Sequence, residues 1–141
     1  MPSDHLVIER TFSVPPDRLW HALTRDEELA AWFWPSRFHT TATVELRPGG
    51  SWRIASEPMG MGVGGVYRDV EPYSLLTFTW RWDSDSRDSL VEITTASTLA
   101  GTNLTLTHTG FDSEAERDNH LDGWNSCLDR LPERLRDDRD Q

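Results

Sequence analysis

The sequence predicts an α+β fold in which a curved antiparallel sheet closes around one long C-terminal helix. Three observations support it. The elements read in the order one strand, two short helices, six strands and a final helix. The six consecutive strands are separated only by short turn signals, which suits an antiparallel meander. The last helix carries a single apolar stripe, Leu121, Trp124, Leu128, Leu131 and Leu135, at three- and four-residue steps.

Each element follows from local pattern. Residues 5–13, HLVIERTFS, alternate enough for a first strand, with Leu6, Ile8 and Arg10 on one side and Val7, Glu9 and Thr11 on the other. VPPDRLWHALT places prolines where a first helical turn accepts them. DEELAAWFW follows as a second short helix, capped by Thr24 or Asp26 and ended by Pro35. The strands are TATVELR, GSWRIAS, GVYRDVE, LLTFTWRW, SLVEITTAS and TNLTLTHTG, divided by RPGG, EPYS, DSDSRD and LAGT. The long helix is expected over 113–131, with Asp112 or Ser113 as its cap and Pro132 ending or kinking it. Residues 1–141 form one domain, with 136–141 as a frayed tail.

Composition narrows the function classes. The chain of 141 residues has 24 acidic and 14 basic residues, a net charge of −10, so nucleic acid and anionic membrane are not expected partners. All 14 basic residues are arginine, which excludes Schiff-base lysine chemistry and a P-loop lysine. The single Cys127 cannot form an internal disulfide, and nothing resembles a signal peptide or a membrane span, so a cytoplasmic location is expected. His5, His21, His39, His108 and His120 show no metal-ligand spacing, and no metal or other cofactor is expected. GMGVGGVY lacks the strand-to-helix setting of a nucleotide loop and is read as a mobile hairpin at the edge of the sheet.

LTRDEELAAWFWP, ELRPGGSWRI, GVYRDVEPYSLLTFTW and LTLTHTGFDSEAERDNHLDGWNSCLDRL together resemble successive blocks of the activator of heat-shock-protein-90 ATPase-like family. Gly65 and Tyr67 match that family's Gly-x-Tyr block, and the resemblance runs from about residue 7 to 135. It implies the helix-grip, START-like fold, whose superfamily includes the birch-pollen-allergen and polyketide-cyclase folds. It also implies a cavity between sheet and helix, lined by the rings that would otherwise be plain core.

The candidate lining set is Trp32, Trp34, Trp52, Phe78, Trp80, His108, His120 and Trp124, with Ile54 and Trp82 on the same sheet face. His108 and His120 fit either satisfied core histidines or polar handles that orient a ligand. The leading expectation is a small apolar or aromatic molecule held in the cavity, without catalysis. A cyclase- or hydrolase-like enzyme using the two histidines, and a module docking on a heat-shock ATPase, are the alternatives. A homodimer is the assembly worth testing. Gly123 leaves a notch at the flank of the helical stripe, filled either by a ring from the Trp32–Trp34 segment, which is the expectation, or by ligand.

Overall fold

The computed structural model describes residues 4–139. Seven strands form one curved antiparallel sheet: β1 (His5–Phe12), β2 (Thr41–Val44), β3 (Ser51–Ser56), β4 (Met61–Glu71), β5 (Leu75–Trp82), β6 (Ser89–Thr98) and β7 (Gly101–Thr109). Their order is β1-β7-β6-β5-β4-β3-β2. Six strands are therefore a meander, and β1 joins it by pairing with β7 from His5↔Thr109 to Phe12↔Thr102. Since β1 and β2 sit at opposite edges, the connection between them must cross the sheet. Helices α1 (Pro16–Thr24) and α2 (Asp26–Trp32) and a short 3-10 turn at Ser36–Phe38 make that crossing. The long helix α3 (Glu114–Arg139) follows β7.

Local sequence explains the ends. Pro15 and Pro16 carry the fixed φ that a helix start needs, so α1 begins there without a side-chain cap. Contrary to expectation, neither Thr24 nor Asp26 caps α2. Arg25 occupies the cap position, Thr24 Oγ1 donates back to the Trp20 carbonyl at 2.7 Å, and Asp26 opens the helix with Glu27 and Glu28 in its electropositive first turn. Ser113 Oγ accepts the Glu116 N–H at 3.1 Å while Glu116 Oε1 accepts the Asp112 N–H at 2.7 Å, a reciprocal cap for α3.

Helix α3 neither ends nor stops pairing with its neighbours at Pro132, as the proline alone suggests it should. Leu131 and Leu135, on either side of it, are buried, and Arg134 Nε donates to the buried Glu28 carboxylate at 3.0 Å. Tertiary contacts outweigh one missing backbone bond. The helix continues to Arg139, so 136–139 of the expected tail are helical and 140–141 lie outside the described residues.

The glycine cluster is also not an edge hairpin. The hairpin turn lies at 57–60, and Gly62, Gly64 and Gly65 are interior to β4, between β3 and β5. The β4–β5 ladder pairs Gly64 with Arg81 and Tyr67 with Phe78, and skips Gly65 and Val66. In that gap Trp52 Nε1 donates to the Thr79 carbonyl at 3.1 Å, and Val66 N–H donates to Thr79 Oγ1 at 2.8 Å. A side chain at 65 would collide with the Thr79 carbonyl. Glycine there lets two strands approach while an indole takes the freed acceptor.

The core lies between the sheet and α3. Trp124, Cys127, Leu128, Leu131 and Leu135 face Leu104 and Leu106 of β7, Val91 and Ile93 of β6, and Leu76, Phe78 and Trp80 of β5. Among the described residues, no helix is long and apolar enough to cross a membrane.

Gly65→Ala is expected to lower stability by about 1–3 kcal/mol in urea denaturation, because the obstacle is backbone that cannot rotate away. Gain of stability would show that the two strands separate freely at this point.

Candidate functional site: a tryptophan-lined cleft at one end of the sheet

The space between sheet and helix is divided in two. An inner void of about 30 Å³ lies among Leu23, Leu29, Trp52, Tyr67, Leu76 and Phe78, room for about two water molecules and too small for a ring. An outer cleft of about 300 Å³ opens to solvent, at the lower end of the range for small-molecule sites. Trp80 and Trp124 border both, with ring centroids 5.0 Å apart, and so form the partition.

The outer cleft takes its walls from three elements. Trp34 follows the end of α2, Trp80 and Trp82 come from the last turns of the β5 ladder, and Asn119, His120, Gly123 and Trp124 come from the first half of α3. The Trp34 and Trp82 rings are nearly parallel, 9° apart with centroids at 6.3 Å, and Trp80 stands at 88° to Trp82. Arg130 holds the Trp34 wall in place. Its Nε donates to the Trp32 carbonyl at 3.2 Å and its Nη2 to the Phe33 carbonyl at 2.7 Å, a cation at the carbonyl end of α2.

His108 is fully buried behind Trp124. Trp124 Nε1–H donates to its Nδ1 at 3.0 Å, so that nitrogen is unprotonated. Nε2 then carries the proton and donates to Ser89 Oγ at 2.7 Å, and Ser89 Oγ donates to the Trp80 carbonyl at 3.2 Å. Burial, aided by the neighbouring His120, pushes the imidazole pKa down to about 3. His120 is locked in the other tautomer. Trp82 Nε1–H donates to Nε2 at 2.9 Å, and Nδ1–H donates to the Glu116 carbonyl at 2.8 Å. Phe111 packs on both imidazoles, 4.5 and 4.9 Å between centroids.

Other reactive groups are muted. The Cys127 thiol is buried and pushed up to about 12, with Arg130 Nη2 at 3.7 Å from its sulfur. Among the described residues no carboxylate lines the outer cleft, and no three His, Cys, Asp or Glu gather as metal ligands.

Of the residues singled out in the sequence, Trp34, Trp80, His120 and Trp124 meet at the outer cleft. Trp52 and Phe78 border the inner void, Trp32 is buried with Nε1 on the Ala22 carbonyl at 2.8 Å, and His108 lies behind Trp124. Trp82, Asn119 and Gly123 complete the lining. Trp82 had its signal in the strand alternation and Gly123 in the interrupted stripe; Asn119 had none. No ring packs into the Gly123 notch: a methyl group there meets nothing within 4 Å, which corrects the expectation of a Trp32–Trp34 ring. Those rings pack with one another and with Trp80, Trp82 and Trp124, leaving the notch as part of the cleft lining.

A seven-stranded sheet gripping a C-terminal helix, with a cleft between them, defines a helix-grip protein. The chain belongs to the Activator of Hsp90 ATPase homolog 1-like family, whose model matches residues 13–136. A Mesorhizobium loti protein of known structure is similar at 26% identity and a TM-score of 0.82, covering 97% of this chain and 98% of that one. A Chromobacterium violaceum protein gives 25% identity and 0.80, over 96% and 98%. DynU16, a protein in the dynemicin biosynthetic locus, shares the fold at 22% identity and 0.82, over 94% of this chain and 47% of its own. No curated protein matches the chain.

The buried histidine makes acid stability a direct readout. The unfolded imidazole binds a proton near its ordinary 6.5, whereas the folded one resists until about 3. Between these values only the unfolded chain takes up that proton, so stability falls as pH drops from about 6.5 towards 3. His108→Gln should lower stability at neutral pH and make it less steeply pH-dependent in that window than the parent, measured by denaturation at several pH values. Identical slopes would contradict the buried neutral histidine.

Proposed function

We propose that the protein binds a small, flat, largely apolar molecule in the outer cleft, and that it acts as a binding protein rather than a catalyst. The observation that carries this is the cleft itself, about 300 Å³ with four indoles in its lining. Indole faces supply stacking and apolar burial at little entropic cost, because their rotamers are already fixed by packing and by hydrogen bonds. Trp82 is fixed by His120, Trp124 by His108, and the backbone at Trp34 by Arg130.

The enzyme alternative draws no support from the geometry. His108 and His120 both have their two ring nitrogens engaged, and neither has a carboxylate to raise its basicity. The ligand-binding reading uses Trp34, Trp80, Trp82, His120 and Trp124 as lining, with Trp32, Trp52, Phe78 and His108 as their support.

The test combines binding with one substitution. A neutral bicyclic aromatic such as 2-naphthol should quench tryptophan fluorescence and bind with micromolar affinity by calorimetry. Gly123→Ala should raise the stability of the free protein by about 0.5–1 kcal/mol, since its methyl enters open space on a helix. The same methyl projects from the cleft lining and should weaken 2-naphthol binding several-fold. A stabilised variant with unchanged affinity would place the ligand elsewhere, and absence of binding to the parent would remove the proposal.

A further inference from the structure

Resting on the proposal that the outer cleft is a ligand site, we infer that the cleft selects organic cations, quaternary ammonium compounds bearing a flat ring above all, over neutral molecules of the same shape and over anions. The lining offers a ligand aromatic surface and few polar groups. Four indoles, Trp34, Trp80, Trp82 and Trp124, line one small space, and an aromatic ring attracts a cation through the negative side of its quadrupole. Trp34 and Trp82 run parallel and Trp80 is perpendicular to Trp82, so a group in the cleft meets aromatic surface from more than one direction.

Most of the donors an anion would need are already spent, leaving the Asn119 amide and the Trp34 N–H, both uncharged. Trp82 N–H is committed to His120, Trp124 N–H to His108, and His120 Nδ1–H to the Glu116 carbonyl. The Trp80 N–H is buried and without a partner, so it gives the cleft no accessible donor. Among the described residues no arginine lines the cleft, and the chain has no lysine. A carboxylate or phosphate would enter without a counter-charge, against a net protein charge of −10. That same charge attracts cations at long range.

Acceptors are scarce as well. The His120 Nε2 lone pair is occupied by Trp82, and Asn119 supplies the one side-chain amide in the lining. A primary ammonium would leave N–H groups unsatisfied after losing its water. A quaternary ammonium has no N–H to satisfy and spreads its charge over methyl groups, so it loses little hydration on entering and gains the attraction of the rings.

The test uses three compounds of nearly the same shape: 4-hydroxyphenyltrimethylammonium, its neutral isostere 4-tert-butylphenol, and the anion 4-tert-butylbenzoate. Calorimetry on the full chain should show the cation binding about tenfold more tightly than the phenol, and the benzoate not at all. Raising the salt concentration should weaken the cation and leave the phenol unchanged. Trp34→Leu should reduce the cation-to-phenol ratio, and Trp34→Phe, which keeps an aromatic face, should largely retain it; the ratio is insensitive to a general loss of folded protein. Equal binding of cation and phenol, or tighter binding of the benzoate, would overturn the selectivity while leaving the aromatic-ligand proposal intact. Binding of none of the three, or of 2-naphthol, would overturn both.

Discussion

The hydrogen bond from the Trp124 indole to the buried His108 imidazole is the interaction on which the rest of the arrangement depends. It links α3 to β7, and the imidazole passes the chain on to Ser89 of β6 and through it to the Trp80 carbonyl of β5. Four elements are thereby joined by three bonds in the protein interior. Because every partner is buried or half-buried, losing one member strands the others, at about 1–3 kcal/mol for each unsatisfied group. The chain fixes the rotation of α3 about its own axis as well as its distance from the sheet. Apolar packing of Leu128, Leu131 and Leu135 is non-directional and would not do so alone.

With Trp124 held, Trp80 packs against it, and the void left behind the two rings is only about 30 Å³. The family's sheet-and-helix architecture here keeps its large space at the mouth instead. A second indole–imidazole bond, Trp82 to His120, repeats the device one turn earlier along α3 and shapes the outer wall. Gly123 lies between the two histidine-linked positions, and its missing side chain leaves open space in the lining between them. The helix accepts a residue that weakens it by about 1 kcal/mol in exchange for that space.

Much of this was legible in the sequence, for identifiable reasons. Strand alternation in LLTFTWRW and the stripe from Leu121 to Leu135 each report one buried face, and the sheet order then follows from short connections. Other features were legible only in part or not at all. The glycines of β4 read as a turn because local propensity carries no information about the Trp52 indole lying across the next strand. Pro132 read as an end or a kink, and the helix runs on past it because the burial of Leu131 and Leu135 on either side is tertiary. The cleft residues were found in part: aromatic content marked Trp34, Trp80 and Trp124, but depth along the strand separates Trp82 at the mouth from Trp52 and Phe78 in the core. Periodicity gives the face a side chain occupies, not its depth. Asn119, polar and on the exposed side of the helix, carried no signal at all.

The locked His108 imidazole can be read directly from its nitrogens. Long-range proton–nitrogen correlation NMR of the uniformly labelled protein at neutral pH should show His108 as a neutral ring protonated on Nε2, with its Nδ1 accepting from Trp124. The His108 pattern should persist on acidification until the protein unfolds, since its pKa is pushed down to about 3. An imidazolium at His108 near pH 6, or a proton on its Nδ1, would contradict the account. Trp124 could then not be its donor, and the partition between core and cleft would lose the bond that holds it.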